Sequence, residues 1–109
     1  MNKLTDDEVV ALKEKAGLSE VHRYDDDEIG LHVVFKTPNW GAWSAYKRDL
    51  VDPETRPKTM KLMVATHLVH PSASEFEAFI EGSPGSVEIV MGEIGEVAGL
   101  RSAGVRKKL

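Results

Sequence analysis

The densest apolar stretch of the chain runs from Met60 to Val69. Met60, Met63, Val64 and Leu68 follow the i, i+3, i+4, i+8 spacing of one helix face. Leu62, Ala65 and Val69 add a second apolar flank, and only Lys61, Thr66 and His67 interrupt the circumference. A helix apolar nearly all round is a buried one, so the pattern predicts a central helix on which the rest packs. His70-Pro71 ends it, because the residue before proline is pushed out of helical geometry.

The flanking segments show weaker but readable patterns. Thr5-Asp6-Asp7-Glu8 has capping-box spacing, Val9, Leu12 and Ala16 follow at helical spacing, and Gly17 is a natural stop. Glu20 to Tyr24 and Leu31 to Lys36 read as strands, the second alternating Leu31, Val33 and Phe35 with His32, Val34 and Lys36. The turn formers of Asp25 to Gly30 join them into a hairpin. Asn39 is a good N-cap for a helix to about Leu50, with Trp40, Trp43, Tyr46 (or Lys47) and Leu50 along one side. Pro57 fits the first position of the central helix.

Ser72-Ala73-Ser74-Glu75 is a second capping box, followed by Phe76, Phe79 and Ile80 on one face and a stop at Gly82. Ser83-Pro84 then reads as cap and first residue of a closing helix, whose stripe is Val87, Val90, Met91, Ile94, Val97 and Ala98. Gly92 and Gly95 each cost about 1 kcal/mol against alanine inside that helix, which close approach of another helix or chain would offset. Gly99 fits the C′ position.

The expected fold is therefore α+β: a mostly helical small domain with a two-stranded β-hairpin packed on a helix cluster. Residues 1–100 read as a single domain and 101–109 as a basic flexible tail.

Composition changes this picture little. The chain has 109 residues, 41% apolar and 29% charged, with a formal net charge of −4. That balance favours neither nucleic acid nor an anionic membrane. The absence of cysteine excludes disulfides and thiolate metal sites. No apolar run approaches the ~18–20 residues of a membrane span, and the polar N-terminus lacks a signal-peptide core, so the protein reads as intracellular. Charge is uneven: residues 1–30 hold nine acids against four bases, and the last nine residues hold four bases and no acidic side chain.

Candidate chemistry is sparse. His22, His32, His67 and His70 would bind a metal only if they converge, and H-x-x-H at 67 and 70 reads more simply as structural histidines. Asp25-Asp26-Asp27-Glu28 lacks the alternating oxygen ligands of a calcium loop and reads as a solvated acidic turn. Ser44, Ser72 and Ser74 have no nucleophile-elbow context, and Gly82-Ser83-Pro84-Gly85 lacks the lysine of a phosphate loop. No cofactor is implied and no enzymatic activity is expected. Trp40 and Trp43, one turn apart, suit either core packing or anchoring of a protein partner.

One longer pattern points to a function. Val33-Val34-Phe35-Lys36-Thr37-Pro38-Asn39 precedes a helix bearing Trp43, Tyr46 and Lys47, with Asp52 and Arg56 in the linker. Leu68-Val69-His70-Pro71-Ser72, Glu75-Phe76, Ser83-Pro84-Gly85 and a closing helix to Ala98-Gly99 follow. In order and spacing, residues 33–99 resemble the small tailed-bacteriophage proteins usually labelled tail assembly chaperones. The resemblance implies a non-enzymatic helper in the cytoplasm of the infected bacterial host, which holds the tape-measure protein until tail-tube subunits polymerise around it. On that reading Trp40, Trp43 and Met91 are the expected partner-binding residues, with the hairpin edge as a second surface. Self-association through Gly92 and Gly95 is an alternative use of the closing helix. The competing function is a small structural virion protein, a head–tail or baseplate subunit.

Overall fold

The computed structural model describes residues 1–100, so the expected basic tail at 101–109 lies outside the described residues. Its helices are α1 (Asp6–Lys15), α2 (Trp40–Asp49), α3 (Arg56–His67), α4 (Ala73–Gly82) and α5 (Ser86–Gly95). Its strands are β1 (His22–Asp26), β2 (Leu31–Phe35) and β3 (Leu68–His70). A π-type turn, Glu96–Leu100, continues α5 and breaks at Gly99, where φ is 102°.

Local chemistry sets three of the helix starts. Thr5 Oγ1 accepts from the Glu8 amide at 3.2 Å, and Glu8 Oε1 accepts from the Thr5 amide at 3.0 Å, closing the expected box. Asn39 Oδ1 accepts from the Ala42 amide at 2.8 Å, and Ser72 Oγ from the Glu75 amide at 3.2 Å. Each satisfies one of the amides that a helix start leaves unpaired. Gly17 ends α1 with φ at 68°, a left-handed conformation that side chains disfavour. Two starts differ from the expected ones. α3 begins at Arg56 with Pro57 second, and α5 begins at Ser86 behind Gly85, with no side-chain cap from Ser83.

The expected two-stranded hairpin is a three-stranded antiparallel sheet in the order β1-β2-β3. The central helix stops at His67, two residues before Val69, and the chain turns straight into β3. There Val34 faces His70 and Phe35 faces Leu68 across an irregular register, and the Lys36 amide donates to the His67 carbonyl at 2.9 Å. In the hairpin His22 faces Phe35 and Asp26 faces Leu31, with Gly30 at φ 69° closing the turn.

The register sorts side chains onto two faces. Leu31, Val33 and Phe35 face the helices and join Val64, Phe76, Val90, Met91 and Ile94 in the main core. His32, Val34, Arg23, Asp25 and His70 point to the back. β2 is buried on both faces, not alternately wet and dry, because residues 1–15 lie over the back of the sheet. Arg23 reaches the Leu4 carbonyl and Asp6 of that N-terminal arm, and His70 Nε2 meets the Asn2 carbonyl at 3.1 Å. α3 is not buried all round: Met63, Val64 and His67 face inward, while Leu62 and Thr66 are exposed.

The acidic segment is likewise more than a solvated turn. Asp25 is on the strand, bonded to Arg23 Nε and His32 Nδ1, both at 2.8 Å. Burial pushes its carboxyl up, but the hydrogen bonds and charges of Arg23 and His32 outweigh that and hold it below the ordinary carboxylate value. Glu8 is lowered as well, by the Thr5 amide and hydroxyl. A carboxylate with a lowered folded-state pKa stabilises the fold above its unfolded value and loses that contribution as pH falls through the folded one. Below about pH 4, amide resonances of residues 1–16 are therefore expected to shift towards random-coil positions before those of α3 and α5. Simultaneous loss of all three helices would contradict this.

Candidate functional site

α2 and α3 pack on one another, and the most exposed large apolar side chains among the described residues lie on or next to them. Trp40, first residue of α2, is 81% exposed, Val51 just beyond its end 76%, and Leu62 on α3 66%. The cap at Asn39 fixes the first turn, so Trp40 is held by rigid backbone. At 100° per residue Trp40 lies roughly 90° from the mean direction of Trp43, Tyr46 and Leu50. Those three turn inward. Trp43 is half-buried against the core, its ring centroid 5.6 Å from that of Tyr46. Burial pushes the Tyr46 phenol up, so it stays protonated at neutral pH.

The three expected partner-binding residues are thus not brought together. Trp40 is open, Trp43 is part of the core wall, and Met91 is 6% exposed inside the main core, where it offers no face to a partner. The buried side of the closing helix contains Val90, Met91 and Ile94, and a stripe of apolar spacing alone does not say which members lie deepest. Gly92 has open space where a Cβ would stand, so nothing among the described residues approaches it closely. Val51 and Leu62 were not marked by the sequence. Leu62 belongs to the apolar circumference of α3, and only its solvent-facing position distinguishes it.

Two grooves flank the pair. One, of about 170 Å³, runs between α2 and α3 over Ala42, Ala45, Leu62 and Met63. The other, of about 350 Å³, lies among α3, α4 and α5, with Met60, Ile80 and Val87 as its floor and Arg56, Lys61 and Glu88 at its rim. Charge divides along the same line. Residues 36–67 hold six bases and three acids, a net of +3, while residues 68–100 hold six acids and no base, a net of −6. Lys47 and Lys58 have no carboxylate within ion-pair distance among the described residues, whereas Lys61 pairs with Glu77 at 2.6 Å.

The histidines lie apart in function. His22 meets Glu20 and Thr37, His32 meets Asp25, His67 meets the Met63 carbonyl, and His70 meets the Asn2 carbonyl. Among the described residues no three His, Asp or Glu side chains are grouped to hold a metal ion. No helix among them is long and apolar enough to cross a membrane.

The architecture defines a small α+β domain, with helices on one face of a three-stranded antiparallel sheet and an N-terminal arm on the other. No family model and no curated protein matches the chain. Its fold is similar to the solved structure of an uncharacterised protein from Bacillus stearothermophilus, with a TM-score of 0.72 and 19% identity over 90% of this chain and 98% of that one. At that identity the likeness concerns the fold alone.

Proposed function

We propose that this chain is a non-enzymatic phage tail assembly chaperone, which covers helical segments of the tape-measure protein in the host cytoplasm before the tail tube polymerises. The observation that carries the reading is that Trp40 on α2, Val51 just beyond its end and Leu62 on α3 are large apolar side chains left exposed. The resemblance of residues 33–99 supplies the kind of partner. Burying a side chain such as Leu62 against a partner contributes about 1.5–3 kcal/mol. A few such contacts hold a segment firmly yet release it when a polymerising tube competes. The net positive charge of residues 36–67 favours partner segments that carry acidic side chains beside their apolar stripe.

Co-expression of the tagged chain with the tape-measure protein tests this. The expected result is co-purification of the two, with more of the tape-measure protein in the soluble fraction than when it is expressed alone. A tape-measure protein that stays insoluble and is not retained with the tagged chain would overturn the reading.

A further inference from the structure

We propose that residues 1–15 form a strap over the back face of the sheet that opens as a unit, with the Arg23 guanidinium as its latch. The hold is largely polar, and two of its bonds go to Arg23, beside the separate His70–Asn2 and Lys3–Asp27 contacts. Arg23 Nε donates to Asp25 at 2.8 Å, Nη1 to Asp6 at 2.9 Å, and Nη2 to the Leu4 carbonyl at 2.6 Å. All three guanidinium nitrogens are thus used, two of them on the arm, in the fork geometry that only arginine offers. The second oxygen of Asp25 bonds His32 Nδ1 at 2.8 Å, and His32 Nε2 lies 3.7 Å from Asp27. Asp27 returns to the arm through Lys3 at 3.3 Å. The circuit therefore starts and ends on residues 3–6.

Apolar packing adds little to this. Val9 is the one buried residue of α1, it is not part of the main core, and Val10 stays 46% exposed. An open surface depression of about 330 Å³ lies beside α1, lined by Leu4, Glu8, Ala11, Leu12 and His70. Met1 packs against the main core and is the arm's apolar anchor. Segments with few buried apolar contacts open locally, at lower free energy than the core. α1 is also complete in itself, boxed at Thr5 and stopped at Gly17, and the segment 16–21 separates it from β1. A ten-residue helix is marginal alone in water, so release of the arm and loss of α1 are one event. Opening uncovers His32 and Val34 on β2, which gives the domain a second face apart from the α2–α3 pair.

Amide hydrogen exchange on the full chain tests the strap. In the wild type, amides of residues 9–16 are expected to exchange faster than those of α3 and α5. Arg23→Lys keeps the charge and loses the fork, and is expected to raise exchange at residues 9–16 by about tenfold, the equivalent of one net hydrogen bond, with α3 and α5 unchanged. Asp6→Asn alters a carboxylate far from the core and is expected to act in the same direction, less strongly. If residues 9–16 exchange in one step with α3 and α5, or if neither variant accelerates them selectively, the strap is overturned.

Discussion

Replacing Phe76 with alanine is expected to destabilise the domain by about 3–5 kcal/mol, a large fraction of the 5–15 kcal/mol typical of such a domain. Phe76 is 2% exposed and is the one buried residue of α4. Phe79 and Ile80 pack only partly against the core, so they do not replace it. The loss has two parts, the apolar surface returned to water and the cavity left among neighbours that relax incompletely. In a thermal melt followed by circular dichroism, the midpoint is expected to fall by roughly 10–20 °C. A fall of only a few degrees would mean that α4 is not held by this side chain.

Replacing Trp40 with alanine is expected to do the opposite: leave stability within about 0.5 kcal/mol of the wild type and weaken partner binding by about 2 kcal/mol or more. Trp40 gains little from folding because it is 81% exposed and is not part of the core. A large rigid aromatic on a capped helix gains most when a partner covers it. Two kcal/mol is roughly a thirtyfold change in dissociation constant. Trp43→Ala is the contrasting variant: its ring packs on the core and against Tyr46, so it is expected to lower the melting midpoint clearly. Equal binding by wild type and Trp40→Ala, in titrations against the same tape-measure segment, would remove Trp40 from the surface.

The features legible in the sequence are those that short-range chemistry decides. The caps at Thr5, Asn39 and Ser72 depend on residues three positions away, and Gly17 on its own backbone conformation. β3 was hidden because Leu68, Val69 and His70 prolong the apolar pattern of α3. Three residues are too few to show alternation, and pairing with β2 draws on partners more than thirty positions away. The double-sided burial of β2 depends on the N-terminal arm, and the Arg23 circuit joins residues 3, 4, 6, 23, 25, 27 and 32. No window along the chain contains such a set. For the candidate surface, Trp40 and Trp43 share one helix, but a difference of 60° between neighbours separates an open ring from a core one. Met91 is buried for a related reason: the apolar spacing that singles it out marks the side of the helix that packs on the core.

The proposal of a transient chaperone is tested most directly by following one tagged chain through infection. Tape-measure protein captured from infected cells and the protein content of purified virions are measured by mass spectrometry in the same preparation. The expected result is that the tape-measure protein is recovered with the chain before assembly and that the chain is missing from finished particles. Stoichiometric amounts of the chain in purified virions would contradict it and make the protein a structural subunit, with Trp40 in a permanent interface.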